Sequence, residues 1–114
     1  MHESGLTEDL FAHTMQHARE ANAARVTRVR VLVGALSDAT PESIRFYFDT
    51  MAAGTIAEGA SLEFERTAGR AHCRSCGEDV DIEELFGTCP SCGEFASTII
   101  GGNAVYLDSI EVQT

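Results

Sequence analysis

A chain of 114 residues with 44% hydrophobic side chains can bury one modest core and a small satellite beside it, and no more. Eighteen acidic side chains against eight basic ones give a formal charge of −10, which repels phosphate backbones, so nucleic acid is not expected as a partner. No apolar run approaches the roughly 18 residues of a membrane span, and the N-terminus lacks a basic region followed by an apolar stretch, so a cytoplasmic protein without membrane attachment is expected. In that reducing compartment the four cysteines are expected as metal ligands rather than as disulfides.

Residues 4 to 23 read as a helix, with Ser4 as its cap, Glu8 and Asp9 near its positive end, and Leu6, Leu10, Thr14, Ala18 and Ala21 as its apolar stripe. It should end near Asn22. On it His13 and His17 stand four apart and can share a face, but no Glu follows His13 as in H-E-x-x-H, so both read as packed or solvated helix residues. VTRVRVLVG (26 to 34) alternates Val29, Val31 and Val33 against Arg28 and Arg30, which predicts a strand with one buried face, stopped by Gly34. Thr40 and Pro41 start a second helix in which Ile44, Tyr47, Phe48 and Met51 share a face, and Gly54 closes it. Phe46, Tyr47 and Phe48 read as core and core edge, because a nucleic-acid stacking surface needs cations around its aromatics.

SLEFERT (61 to 67) sets Leu62 and Phe64 against Glu63 and Glu65, the pattern of a half-exposed strand. Arg25, Arg28 and Arg30 form the solvated face of the first strand, or pair with Glu63 and Glu65 across the sheet, or face an acidic partner. In the closing NAVYLDSIEV, Val105 and Leu107 have one parity and Ile110 and Val112 the other, so a β-bulge is expected near Asp108 and Ser109.

Between the second strand and this last one lies CRSCGEDVDIEELFGTCPSCG. Cys73 with Cys76 and Cys89 with Cys92 are two C-x-x-C pairs whose four thiolates can converge on a tetrahedral zinc, and Gly77 and Gly93 suit the tight turns that follow each pair. Four protein thiolates fill the shell of zinc, so this Zn(II) is structural and leaves no place for a reacting water. A thioredoxin-like redox role would need one such motif at a helix start in a βαβ setting, which is absent. His72 reads as an exposed neighbour of the site rather than a fifth candidate ligand. The expected fold is α+β: a small three-stranded sheet with two helices, plus an inserted four-cysteine zinc-ribbon subdomain. Its domains are residues 1–68 with 102–114, carrying the first core, and 69–101, the ribbon, with Gly101, Gly102 and the stretch around Gly69 as hinges.

The chain opens MHE. The Met1 amine, the deprotonated His2 amide and His2 Nδ1 can close a five-membered and then a six-membered chelate ring on one metal, with Glu3 supplying a fourth place from its amide nitrogen or its carboxylate. Planar, nitrogen-rich coordination suits Ni(II) or Cu(II), whereas zinc prefers a tetrahedron.

MHESGLTEDL, VGALSDATPESIRFYF, GTIAEGASLEF, the two cysteine knuckles and the closing GGNAVYLDSIEV together resemble the HypA/HybF family of hydrogenase nickel-incorporation proteins, in order and over essentially the whole chain. The resemblance implies a metallochaperone that passes Ni(II) to the large-subunit precursor of [NiFe]-hydrogenase, working with a nickel-insertion GTPase, and that in some organisms also serves urease maturation. It implies Met1, His2 and Glu3 as nickel ligands and Cys73, Cys76, Cys89 and Cys92 as zinc ligands. Ala35 and Ala104 stand where the family often has an acidic residue, as does Thr40 for some members. No nucleophile, base and oxyanion donor occur together, so no enzyme is expected. The chain is expected as a monomer or weak homodimer, and the rival reading is a zinc-ribbon protein–protein interaction module without nickel delivery.

Overall fold

Helical spacing decides which face of the first helix is buried. In the computed structural model, which describes residues 3–83, 88–94 and 98–114, α1 spans Glu3–Glu20 and buries Thr7, Leu10, Thr14 and Ala18. Thr14 reaches this apolar face without an unpaired hydroxyl because its Oγ1 donates to the Leu10 carbonyl at 2.9 Å. The stripe expected from sequence is therefore shifted: Leu6 is half-buried and Ala21 exposed, while Thr7 is buried. Ser4 lies inside the first turn of α1 instead of capping it. The helix ends where expected, for Asn22 takes a left-handed φ of 54°. The Asn22 N–H donates to the Arg19 carbonyl and the Ala23 N–H to the Ala18 carbonyl, the two bonds of a Schellman close.

Strand β1 (Arg25–Gly34) follows and buries Val26, Val29, Val31 and Val33. Val26 is out of phase with the other three, so the alternation slips at Thr27 and Arg28. Helix α2 (Pro41–Ala52) starts as its sequence requires: Thr40 is extended and its hydroxyl accepts the Ser43 N–H at 3.2 Å, with Pro41 in the first turn. Ile44, Phe48 and Ala52 are its buried residues, and Phe11 of α1 meets Phe48 edge to face at 5.4 Å. Tyr47 and Met51 are half-buried, whereas Phe46 is 66% exposed and belongs to the surface. Strand β2 (Ser61–Thr67) contributes Leu62 to the core.

Downstream come β3 (Gly69–His72), β4 (Asp79–Ile82), β5 (Thr98–Gly101) and β6 (Val105–Gln113). One sheet has the order β2-β1-β6 and the other β4-β3-β5. Helix α1 packs on both α2 and β6. Along β6, Val105, Leu107, Ile110 and Val112 are all half-buried while Asp108 and Ser109 are successively exposed, so the phase of burial reverses where the parity of the sequence requires. On the exposed side of this sheet Arg28 reaches Glu63 at 3.1 Å and Glu111 at 2.8 Å, and Arg30 reaches Glu65 at 2.9 Å and Asp108 at 3.3 Å. The central strand is thus a cationic rail between two acidic ones.

The contacts group into two units. The first takes the chain up to Leu32, Ala39–Glu65 and Val105–Thr114; the second takes Val33–Asp38 and Arg66–Ala104. Within the second, β3 pairs antiparallel with β4, from Gly69 opposite Ile82 to His72 opposite Asp79, and on its other side with β5, with a register shift between Arg70 and Ala71. Its core is Leu36, Ala71, Cys73, Val80, Ile82 and Cys89, with Ile99 packed against them. Leu36 arrives from the segment after β1, pinned by its N–H to the Gly102 carbonyl and by the Ala35 N–H to the Thr67 carbonyl, both at 2.8 Å. At Gly34 and Gly102 the backbones come so close that a β-carbon on either would strike a carbonyl oxygen, that of Gly102 or of Ala68 respectively. These glycines allow a tight crossing of chain segments.

Leu36→Ala should remove the contribution of the 33–38 segment to this small core and cost about 3 kcal/mol. Amide exchange should speed up in β3 and β4 and stay unchanged in the Ile44–Phe48 region of α2; uniform acceleration would show that the second unit has no core of its own.

Candidate metal centre

Two short turns, alike in their hydrogen bonds, gather the cysteines. In the first, the Cys73 N–H donates to the Glu78 carbonyl at 2.9 Å and the Gly77 N–H to the Cys73 carbonyl at 2.8 Å. In the second, the Cys89 N–H donates to the Glu94 carbonyl at 2.6 Å and the Gly93 N–H to the Cys89 carbonyl at 2.8 Å. Gly77 and Gly93 have φ of 78° and 81°, the left-handed conformation that lets each turn close. Each turn presents one buried cysteine, Cys73 or Cys89, and one exposed cysteine, Cys76 or Cys92.

The four Sγ atoms lie within 4.8 Å of one another. Across the pairs, Cys73 and Cys92 are 3.6 Å apart and Cys76 and Cys89 are 3.8 Å apart. A regular tetrahedron with metal–sulfur bonds of about 2.3 Å has edges of about 3.8 Å, so these spacings match a tetrathiolate zinc site. They are far too long for a disulfide, whose sulfurs sit about 2.05 Å apart. Among the described residues these cysteines are the group of three or more donors close enough to share one ion.

Crowding the sulfurs has an electrostatic cost that falls unevenly. The Cys76 N–H and the neighbouring Cys92 thiol favour a Cys73 thiolate, and outweigh desolvation to bring its pKa down to about 7. The Glu94 N–H favours a Cys92 thiolate too, but desolvation and the sulfurs of Cys73, Cys89 and Cys76 overcome it and push Cys92 up to about 12. Cys76 is also raised: the Glu78 N–H pulls it down, but desolvation and the Cys73 and Cys89 sulfurs prevail. One thiolate is therefore easily formed and further ones are opposed, which is the behaviour of a site shaped for a cation.

The remaining candidates fall as follows. His72 Nδ1 is 2.7 Å from Asp79 Oδ1, the residue opposite it on β4, so its ring turns to a carboxylate and stands outside the sulfur cluster. The Arg70–Asp81 pair repeats this cross-strand pattern two residues along, on the same face, and the sequence reading includes neither pair, although the antiparallel register makes both direct. His13 and His17 are exposed, and His17 Nδ1 lies 3.4 Å from Glu20 Oε1. Met1 and His2 lie outside the described residues, and Glu3 is the first residue of α1. Among the described residues no helix is long and apolar enough to cross a membrane.

An α+β chain with an inserted four-thiol cluster, coordinatively closed once filled, has the architecture of a metal-handling protein whose strongest site is structural. The family model of hydrogenase/urease nickel-incorporation metallochaperones, HypA, matches residues 1–112. The chain is 38% identical over 112 residues to the hydrogenase maturation factor HypA 2 of Bradyrhizobium diazoefficiens, covering 98% of this chain and 99% of that one. It is 38% identical over 113 residues to HypA of Methylocella silvestris, covering 99% and 100%. The solution structure of the Ni metallochaperone HypA from Helicobacter pylori superposes with a TM-score of 0.74 at 25% identity, covering 98% of this chain and 97% of that chain. The chain belongs to the HypA family, a family of metallochaperones rather than of catalysts.

Zinc must displace protons from thiols that hold them tightly. With Cys76 and Cys92 raised, both are protonated in the metal-free chain at pH 7, and Cys73 is about half ionised. Zinc titration should accordingly release more than two protons per chain at pH 7, and its affinity should fall steadily from pH 8 to pH 6, because lower pH favours the competing protons. An affinity that is flat over that range would mean that the sulfurs do not bind the ion together.

Proposed function

We propose that this chain is a nickel metallochaperone that binds Ni(II) through Met1, His2 and Glu3 and delivers it to the [NiFe]-hydrogenase large-subunit precursor during maturation. Cys73, Cys76, Cys89 and Cys92 hold a structural Zn(II) in this reading. The observation that carries it is the extent of the family match, which begins at residue 1 and so takes in the Met-His-Glu start along with both knuckles.

The chemistry of those first residues suits transfer. The Met1 amine, the His2 amide nitrogen and His2 Nδ1 fix three equatorial places through fused five- and six-membered rings, and Glu3 offers a fourth that an incoming ligand can replace. A metal held by three fixed and one exchangeable donor is retained in solution and released to an acceptor that supplies better ligands. The partners in this reading are the nickel-insertion GTPase and the hydrogenase precursor, with urease maturation proteins as further recipients, in the cytoplasm, the chain acting as a monomer or weak homodimer. The division into 1–68 with 102–114 and 69–101 then assigns the cargo to one domain and the structural ion to the other.

Two substitutions separate the sites. His2→Ala should abolish the tight, one-per-chain nickel event while leaving zinc content and melting temperature unchanged; a large fall in melting temperature would make His2 a packing residue. Cys76→Ala should lose zinc and loosen the ribbon while the first core survives, since metal-binding energy is folding energy in so small a unit.

A single glycine placed ahead of Met1 tests delivery itself. It moves histidine to the third position, where the amine, two amides and the imidazole occupy all four equatorial corners. That protein should bind nickel at least as tightly and release it more slowly, so it should fail to mature hydrogenase in a reconstituted assay. Maturation at the native rate would overturn the mechanism, and a native chain that binds only zinc would leave it a zinc-ribbon interaction module.

A further inference from the structure

Helix α1 carries two nitrogen donors that the proposed function does not use. His13 and His17 are four residues apart in an unbroken helix, and both are exposed. At this spacing the β-carbons stand about 5–6 Å apart on one face, the arrangement with which paired helical histidines grip a metal. The buried face of α1 is taken by their chain neighbours Thr14 and Ala18, so neither imidazole is committed to the core.

Glu20 supplies a second, independent observation. Its Oε1 lies 3.4 Å from His17 Nδ1, with the two side chains 61% and 58% exposed. A carboxylate on that side favours the tautomer with the proton on Nδ1 and leaves the lone pair of Nε2 facing solvent. Metal-binding imidazoles are commonly oriented in this way, by a carboxylate behind the ring. His17 also sits in the last turn of α1, where the free carbonyl ends favour positive charge, and the chain as a whole carries −10.

The geometry points to a second metal site on α1, in which His13 and His17 bind one first-row divalent cation of the Ni(II), Cu(II) and Zn(II) group and Glu20 orients the His17 ring. Water fills the remaining places. With two imidazoles and no thiolate or amide nitrogen, the site binds more weakly and exchanges faster than the four-sulfur cluster. Ten residues of helix, about 15 Å at 1.5 Å per residue, separate Glu3 from His13, so an ion held here is a different ion from one held at the N-terminus. The inference does not rest on the N-terminal reading.

The test uses the full zinc-loaded chain carrying His2→Ala, titrated with nickel chloride and followed by calorimetry and by nitrogen-15 NMR. The expected result is one weak binding event, with paramagnetic broadening centred on the amides between His13 and Glu20 and the zinc content unchanged. His13→Gln or His17→Gln in the same background should abolish the event, with helix content by circular dichroism unchanged, and Glu20→Gln should weaken it about tenfold. Absence of any second event, broadening centred elsewhere, or full binding by the His13→Gln, His17→Gln double variant would overturn the site. Unchanged affinity in Glu20→Gln would overturn the orienting role of that carboxylate.

Discussion

Four sulfur atoms gathered within 4.8 Å of one another, two pairs of them at 3.6 and 3.8 Å, are the constraint on which the second unit depends. As thiolates they repel, and as thiols they waste the amide hydrogen bonds aimed at them; a divalent cation at the centre resolves both problems at once. Among the described residues, the core of that unit has six buried members, of which Cys73 and Cys89 are two, so ligand and core are partly the same atoms. Folding and metal binding in this unit are therefore one equilibrium.

The first unit obeys a different rule. Val26, Val29, Val31, Ile44 and Phe48 are completely buried there, and no ion is needed to bring them together. Its polar side is organised as well: two arginines on the central strand each meet acids from both flanking strands. Exposed pairs of this kind contribute little individually to stability. What the rail does provide is register, since sliding β2 or β6 along β1 would take their acids away from Arg28 and Arg30. One unit is thus specified by apolar area and charge pattern, the other by coordination.

Much of this was legible in the sequence where a local rule has no competitor. The C-x-x-C-G repeats, the Thr40–Pro41 helix start, the Asn22 stop and the parity break at Asp108–Ser109 each depend on a few adjacent residues, and each is found. The misses have local causes at Ser4 and Phe46 and a distant one at Leu36. Ser4 looks like a cap until the helix begins before it. Phe46 reads as core edge in a run of aromatics, but the helical turn that buries Phe48 carries Phe46 to the surface. Leu36 sits in a short segment with no periodicity to mark it, and its burial follows only once β3 and β4 are in place to receive it. The slip between Val26 and Val29 is hidden because every second residue from Val29 onward obeys the simpler pattern.

The crossing near Gly34 also sets an order of events as the chain is made. The hydrogen bonds from Gly34 to Ala104 and from Leu36 to Gly102 join the early part of the chain to its final stretch. Contacts between such remote segments close late, because a long loop must be ordered before they are rewarded. The two knuckles lie close together in sequence and need no such wait. During vectorial synthesis, residues 33–38 leave the ribosome well before the residues that will enclose them. The residues that Leu36 packs against in β3 and β4 are made before the second knuckle, whereas the Gly102 carbonyl that holds its backbone is made after both knuckles, so fixing the 33–38 backbone can come only after all four cysteines have been made.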